Sequence, residues 1–272
     1  MTDRRRARDE GRLRLHRGFA SRYLSTRRDL VVYLPPGYGE SSRRYPVFYL
    51  QDGQNLFDPA TAFGGQDWRA DITADAMICR GEIQPVILVG IYHTGVHRIS
   101  EYTPTRDRRL RKGGKAERHA QMLAREIKPF IDREYRTLKG SRHTAAGGSS
   151  LGALAALAAA FRYPRVFGAA ALLSPSVWWD GRSTVESVQA FRSASRPRIW
   201  LDIGTAEGGA PHSVVEDARQ LRDAFTDKGW REGLDLEYRE IEGAGHSEAA
   251  WGARFGSVLA WLFPERGPAQ SS

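Results

Sequence analysis

The chain has 272 residues, of which 41% are hydrophobic and 10% aromatic, and this composition fits a globular protein with a sizeable core rather than a disordered one. No apolar run approaches the length of a membrane span, and the charged N-terminus lacks the apolar stretch of a secretory signal, so we expect a cytoplasmic protein without a membrane partner. The net charge of +9 is spread along the chain without a recognisable nucleic-acid-binding motif, so no nucleic-acid partner is predicted.

Strand and helix patterns alternate along the chain, which predicts an α/β fold with a mostly parallel central sheet and helices on both faces. The predicted strands are, in chain order, 13–25, 29–34, 45–50, 85–92, 168–173, 198–203 and 236–241, with a further strand opening the segment 143–162. The predicted helices are 70–79, 117–134, the second part of 143–162, 212–228 and 248–263. Without repeats or linkers, the pattern indicates one domain over 13–264, flanked by disordered tails at 1–12 and 265–272. The lone Cys79 is expected to be a small core residue.

One segment, 143–160, combines a short strand, a glycine-rich turn and an alanine- and leucine-rich helix. Residues 148–152 read Gly-Ser-Ser-Leu-Gly and fit the pattern G-x-S-x-G, in which a serine is held on a sharp strand-to-helix turn. The match centres on Ser150, because a frame centred on Ser149 needs glycine where Leu151 stands. Free N–H groups and the helix dipole at such a turn favour a developing negative charge. The pattern alone is weak, so other residues must support it.

Acyl transfer by a serine requires a base, an acid that orients the base, and donors for the oxyanion. The predicted strand 198–203 is followed by a turn that places Glu207 at the strand exit, and the strand ending at 241 is followed by a glycine-rich turn that presents His246. The order serine, acid, histidine is the one that α/β-hydrolases use. The sequence therefore predicts Ser150 as nucleophile, Glu207 as acid and His246 as base.

Other residues compete for these roles. His212 also follows Glu207, but it comes directly after a proline at the start of a predicted helix and suits an exposed position. Asp202 lies inside a predicted strand and Asp180 follows a different strand, so both are weaker acids for this role. His93 and His97 have no evident third ligand, so neither a metal nor another cofactor is predicted.

The oxyanion donors are predicted to be backbone N–H groups. One is that of Leu151, directly after the nucleophile, and the other comes from the loop after the strand 45–50. In that loop we favour the N–H of Gln54, with Asn55 as the alternative. Asp52 and Asp58 are expected to cap turns rather than to take part in catalysis.

With these residues in view, the chain resembles the putative-esterase family of α/β-hydrolases, which includes siderophore (enterobactin-type) esterases, feruloyl esterases of carbohydrate esterase family 1 and S-formylglutathione hydrolases. The family resemblance implies an α/β-hydrolase fold, and the same serine, histidine and glutamate that the spacing selects. The matching segments, spread over nearly the whole chain, are 49–58, 101–105, 147–153, 174–179, 204–207 and 243–248.

Further residues are candidates for substrate contact. Trp178 and Trp179 either pack under a helix or hold an aromatic acyl group such as feruloyl or dihydroxybenzoyl. Asn55 and Arg98 are two more candidates. The basic run at 106–115 is either a solvated loop or a flap that attracts an anionic substrate.

The sequence thus predicts a serine esterase that acts through an acyl-enzyme on aryl-acyl, catecholate-siderophore or carbohydrate-linked esters, with a small-molecule ester as its partner and no cofactor. Two alternatives stay open at this stage. One is an acyltransferase of the same family, and the other is a non-catalytic binding protein with the same fold. The oligomeric state is not predicted.

Overall fold

The computed structural model describes residues 12–208 and 214–265. Its centre is an eight-stranded sheet in the order β1-β2-β4-β3-β5-β6-β7-β8. The pairs β1–β2 and β2–β4 are antiparallel, and all the other neighbouring strands are parallel. The strands are β1 (Leu13–Phe19), β2 (Arg28–Tyr33), β3 (Val47–Gln51), β4 (Ile87–Ile91), β5 (Thr144–Ser149), β6 (Ala169–Leu173), β7 (Arg198–Gly204) and β8 (Leu236–Ile241).

Helices connect the parallel strands. One long helix, α3, consists of Ala116–Met122, a π-helical turn Leu123–Ile127 and Lys128–Glu134. The π turn directly precedes the turn that contains Pro129, whose missing N–H leaves an α-helical hydrogen bond unmade. The other helices are α1 (Ala70–Cys79), α2 (Arg98–Tyr102), α4 (Leu151–Arg162), α5 (Ser183–Gln189), α6 (Val214–Asp227) and α7 (Glu248–Leu262).

The sheet separates two layers of core. Successive side chains of a strand point to opposite faces, and β3 shows the result. Val47 and Tyr49 pack with side chains of α3, α4 and α6, whereas Phe48 and Leu50 pack with side chains of α1 and α7. The prediction of a mostly parallel sheet between two helical layers is confirmed. Among the described residues, no helix has the length and apolar character needed to cross a membrane.

Some local predictions were wrong. β1 ends at Phe19 rather than at 25, because Gly18 adopts a positive φ of 66°, the pairing with β2 shifts there, and the Ser21 hydroxyl accepts the N–H of Tyr23 in a turn. Cys79, expected in the core, is exposed at the end of α1. The short helices α2 and α5 were not predicted at all. The first two residues of the helix predicted at 212–228 lie outside the described residues, as do most of both tails.

Candidate active site

Ser150 occupies a sharp turn between β5 and α4. Its backbone angles, φ 56° and ψ −124°, lie outside the regions that non-glycine residues ordinarily adopt. A backbone conformation of this kind persists only where the surrounding structure holds it. Here the Ser150 N–H donates to the carbonyl of Leu173 at the end of β6, which fixes the turn at the C-terminal edge of the sheet.

Two glycines allow the end of β3 to approach this turn. A Cβ atom at Gly148 would lie 2.9 Å from Cβ of Gln51, and one at Gly152 would lie 3.1 Å both from Cβ of Gln51 and from a carboxylate oxygen of Asp52. Larger residues would push the two segments apart. The G-x-S-x-G spacing therefore brings the loop after β3 close to Ser150.

Three side chains that are distant in sequence form one hydrogen-bonded row. Nε2 of His246 lies 3.0 Å from Oγ of Ser150, and Nδ1 of His246 lies 2.7 Å from Oε2 of Glu207. Ser150 follows β5, Glu207 follows β7 and His246 follows β8. The carboxyl ends of these parallel strands share one edge of the sheet. The structure thus brings together the serine, histidine and glutamate that the spacing selected.

The charge of Glu207 determines the tautomer of the histidine. Burial alone would raise the pKa of Glu207, but hydrogen bonds from His246, the Ser174 hydroxyl and the Gly204 N–H bring it below its ordinary value. An ionised carboxylate can only accept, so it selects the tautomer of His246 that carries its proton on Nδ1. The lone pair on Nε2 then faces the hydroxyl of Ser150.

A second layer of side chains holds the carboxylate. The Ser174 hydroxyl donates to Oε1 of Glu207 at 2.5 Å and accepts from Nε1 of Trp251 at 3.0 Å and from the guanidinium of Arg254 at 2.5 Å. Trp251 also packs edge-on against the ring of His246, with ring centroids 4.8 Å apart. Sequence reasoning missed these three residues, although Ser174 belongs to one of the matching segments.

Asp202, the rival acid, has other partners. Its carboxylate accepts from Nε of Arg254 at 3.0 Å and from Nε1 of Trp200 at 2.7 Å, and it is completely buried. Burial raises its pKa, although the charge of Arg254 opposes the effect. His246 is not among its contacts, so Asp202 holds Arg254 rather than the histidine.

A second hydroxyl lies beside that of Ser150. Oγ of Ser176 lies 3.1 Å from Oγ of Ser150, and the Ser176 N–H donates to the Ser150 carbonyl at 3.2 Å. Since Ser150 donates its proton toward His246, Ser176 is left to donate to Oγ of Ser150. Ser176 was not predicted as a site residue.

The two predicted oxyanion donors each lie within a few residues of the end of a parallel strand. Leu151 is the first residue of α4, and Gln54 is the middle residue of the 3₁₀ turn Gly53–Asn55, directly after β3. Within the described part of the chain, neither N–H has a hydrogen-bond acceptor. Both are therefore free to bind an oxygen atom.

Both polar groups of the Asn55 side chain are hydrogen-bonded within the protein. Its amide donates to Oε1 of Glu248 at 2.8 Å, and its carbonyl accepts the N–H of Phe63 at 3.0 Å. The indole N–H of Trp68 donates to the other carboxylate oxygen of Glu248. Burial and the charge of Asp52 raise the pKa of Glu248 to about 7, although the hydrogen bond from Trp68 opposes them. Glu248 was not predicted.

Arg98 forms a two-pronged ion pair with Asp52, at 2.8 and 2.7 Å. Its side chain remains 25% exposed, and its guanidinium lies over the ring of Tyr102. Tyr102 in turn accepts the N–H of Asp52 at 3.2 Å. Asp52 therefore anchors Arg98 beside the turn, whereas Asp58 caps its own turn through the N–H of Ala60, as expected.

The two adjacent tryptophans differ. Trp178 is 52% exposed, but Trp179 is 1% exposed, packs with Tyr102 and Leu151 and donates its indole N–H to the carbonyl of Thr105. Of the two alternatives for these residues, Trp179 therefore follows the packing one, because its ring is enclosed by the base of the loop after α2.

The other histidines that the structure describes do not form a metal site. Nδ1 of His93 accepts the N–H of Gly95, and His119 is buried against Gln51. Among residues 12–208 and 214–265, no group of three or more histidine, cysteine or acidic side chains is placed to hold a metal ion. His212 lies outside the described residues.

Comparison with known proteins shows relatives that match most of the chain. YbbA, an uncharacterised protein of Bacillus subtilis, is 24% identical over 257 residues, which cover 91% of this chain and 97% of YbbA. An endo-1,4-β-xylanase/feruloyl esterase of Xylanibacter ruminicola is 26% identical over 226 residues, which cover 81% of this chain and 27% of that protein. The enterobactin esterase of Shigella flexneri, solved in the presence of 2,3-dihydroxy-N-benzoyl-glycine, has the same fold, with a TM-score of 0.72 at 20% identity over 92% of this chain and 59% of that one.

The family profile described as "Putative esterase" matches residues 21–262. This match spans both the antiparallel strand β2 and the helix α7 that follows His246. The resemblance inferred from the motifs is confirmed, and the chain belongs to the putative-esterase family.

Proposed function

We propose that this protein is a serine carboxylic-ester hydrolase in which Ser150 is the nucleophile, His246 the general base and Glu207 the acid that orients it. The observation that carries the proposal is the continuous row of hydrogen bonds from Glu207 through His246 to Ser150, at 2.7 and 3.0 Å. Membership of an esterase family supports the reaction class.

In the acylation step, Nε2 of His246 takes the proton of the Ser150 hydroxyl while Oγ attacks the carbonyl carbon of the ester. The carbonyl oxygen becomes an oxyanion, for which the N–H groups of Leu151 and Gln54 are the proposed donors. His246 then gives its proton to the alcohol oxygen, the carbon–oxygen bond breaks, and the alcohol leaves. Glu207 stays ionised throughout and stabilises the imidazolium.

In the deacylation step, a water molecule takes the place of the alcohol. His246 removes one proton from the water as its oxygen attacks the acyl carbon, and then returns the proton to Oγ of Ser150 as the acyl–serine bond breaks. The products are a carboxylic acid and the free enzyme, so the reaction balances without a cofactor.

For the substrate, we propose an ester with an aromatic acyl group that carries negative charge or phenolic oxygens, as in aryl-acyl, catecholate-siderophore or carbohydrate-linked esters. The exposed ring of Trp178 supplies an apolar stacking surface after β6. The loop at 106–112 supplies five basic side chains after β4. Relatives named for feruloyl and enterobactin ester hydrolysis support the same class.

The test is hydrolysis of p-nitrophenyl acetate and of a methyl ferulate and catecholate-ester panel by wild type and Ser150→Ala. We expect the substitution to lower kcat by roughly 10⁴-fold or more with an unchanged Tm, because the covalent route is lost. A fluorophosphonate should label Ser150 in the wild type. Near-normal turnover by the variant, or labelling at Ser149, would overturn the assignment.

A further inference from the structure

Glu248 connects two loops of the site. It is the first residue of α7, two residues after His246, and its two carboxylate oxygens accept from the side chains of Asn55 and Trp68. Both donors belong to the segment after β3, which also carries Gln54. The carboxylate of Glu248 therefore connects two parts of the site. One is the turn that contains Gln54, a proposed oxyanion donor, and the other is the helix α7, which follows His246, the proposed base.

The partners of Glu248 leave no freedom in the direction of these hydrogen bonds. The Asn55 side-chain oxygen already accepts the N–H of Phe63, so the Asn55 amide nitrogen must face Glu248, and an indole N–H can only donate. Asn55 is 5% and Trp68 3% exposed. Two buried donors therefore require two acceptor oxygens, and an unpaired buried donor destabilises this arrangement.

The same segment is tied to the protein through its main chain. The Asn55 N–H donates to the Asp52 carbonyl at 2.9 Å, and the Asn55 carbonyl accepts the N–H of Trp68 at 2.8 Å. Gln54 directly precedes Asn55 and lies inside the turn that the first of these hydrogen bonds closes. A change in the position of Asn55 would consequently move the peptide group that joins it to Gln54. Through the Cα atom of Gln54 it would also move the next peptide group, which carries the Gln54 N–H.

We infer that Glu248 is a positioning residue for the esterase reaction: it holds the turn Gly53–Asn55 so that the Gln54 N–H faces the oxyanion formed at Ser150. This inference rests on the proposed function. Glu248 touches no reacting atom, and its effect passes through Asn55 and the backbone of the turn.

The directions of these hydrogen bonds suggest a test in which the amide of Asn55 and the carboxylate of Glu248 exchange places. In Glu248→Gln, one of the two oxygens becomes an NH₂ group that faces another donor. In Asn55→Asp/Glu248→Gln, the introduced carboxylate accepts from that NH₂ group and still accepts the Phe63 N–H, while the remaining amide oxygen accepts from Trp68. Complementarity is thus broken in the single variant and restored in the double variant.

We expect Glu248→Gln to lower kcat by about 10- to 100-fold with KM changed by less than about threefold, since a misplaced oxyanion donor acts on the transition state. The inhibition constant of an aryl boronic acid should rise in parallel with the loss in kcat. If kcat falls about 100-fold in the single variant, the double variant should have a kcat at least tenfold higher than the single one. If the loss is smaller, the double variant should regain nearly the wild-type kcat. Wild-type kcat in Glu248→Gln, or a double variant as slow as the single one, would overturn the inference.

Amide hydrogen exchange at Asn55 and Trp68, whose N–H groups donate to the carbonyls of Asp52 and Asn55, provides a readout that does not depend on turnover. Exchange should be faster in Glu248→Gln than in wild type and slower again in the double variant. If wild type hydrolyses no ester while exchange follows this pattern, the proposed function fails and Glu248 still holds the turn. If wild type is active, Ser150→Ala is inactive and exchange is the same in all forms, only the positioning role is wrong.

Discussion

Ser174 donates its hydroxyl proton to Oε1 of Glu207 at 2.5 Å, whereas His246 contacts the other oxygen, Oε2, at 2.7 Å. The two oxygens of one carboxylate thus have separate tasks. One is fixed by the protein, and the other orients the imidazole. An arrangement of this kind orients the histidine more precisely than a carboxylate free to rotate would.

Glu207→Gln should lower kcat by about 100- to 10,000-fold, less than Ser150→Ala, because the acid moves no proton during the reaction. The introduced amide can donate to Nδ1 of His246, which favours the wrong tautomer. The measurement is kcat with p-nitrophenyl acetate.

The matched control for this substitution is Asp202→Asn, which leaves His246 its own partner. It should cost stability through the loss of charge opposite Arg254, with a much smaller effect on kcat. If Asp202→Asn abolishes turnover while Glu207→Gln leaves kcat unchanged, Asp202 and not Glu207 is the acid.

Ser176→Ala should slow both halves of the reaction, since the Ser176 hydroxyl is left to donate to the oxygen atom that attacks in acylation and leaves in deacylation. Loss of one neutral hydrogen bond corresponds to about 1 kcal/mol, or about a three- to tenfold decrease in rate. Pre-steady-state kinetics with p-nitrophenyl acetate separates the burst from the steady phase. Equal rates for variant and wild type in both phases would show that Ser176 only packs beside the nucleophile.

Replacing Arg108, Arg109 and Arg111 together by glutamine should lower kcat/KM for anionic aryl esters and leave neutral ones unchanged. All three side chains are exposed, and added salt should reproduce the loss in the wild type, since exposed charges are screened within about 8–10 Å. The measurement is kcat/KM for a charged and a neutral ester between low and moderate ionic strength.

The matched control for the loop removes equal charge from the surface at the starts of β5, β6 and β7, where Arg142, Arg165 and Arg196 are exposed. Their replacement by glutamine should have little effect on either ester. If both triple variants lose the same activity toward the anionic ester, net charge and not the loop is responsible.

The pH dependence of stability should report the environment of Glu248. Its pKa in the folded protein is about 7, above the ordinary value of 4.5. Its contribution to stability is therefore complete below pH 4.5, declines as pH rises through 7, and is lost above that. The charged groups that act on it are Asp52, Arg98 and His246, and they are present in both proteins compared.

In urea unfolding at pH 5, 6, 7 and 8, the free energy of unfolding of wild type relative to Glu248→Gln should accordingly fall between pH 5 and pH 8. A difference that stays constant over this range would mean that the carboxyl of Glu248 titrates near its ordinary pKa.

The order of elements and the three aligned side chains could be predicted because the signals are local. Ser150, Glu207 and His246 each follow a predicted strand directly, and parallel strands bring such positions to one edge. Which of the candidate residues for substrate contact are exposed could not be predicted from the order of the strands. Trp178 and Trp179 are neighbours in sequence, and only the packing of the loop base onto Trp179 decides that one is exposed and the other enclosed.

The residues that hold the Glu207 carboxylate could not be predicted, because they meet through contacts between distant parts of the sequence. Trp251 and Arg254 reach Ser174 from the last helix, across separations of 77 and 80 residues. The boundaries of β1 were likewise missed, because a bulge and a turn with a Ser21 hydrogen bond end the pairing before the apolar pattern ends.

The proposed nucleophile, acid and base come from the loops after β5, β7 and β8, so Ser150 precedes His246 by 96 residues. A growing or refolding chain can therefore contain a complete Ser150 turn long before it can use it. Ester turnover during refolding would appear only when β8 has joined the edge of the sheet and α7 has docked, and fluorophosphonate reactivity would lag behind any spectroscopic signal from the earlier strands. Appearance of activity would thus report when the C-terminal part of the chain has joined the site.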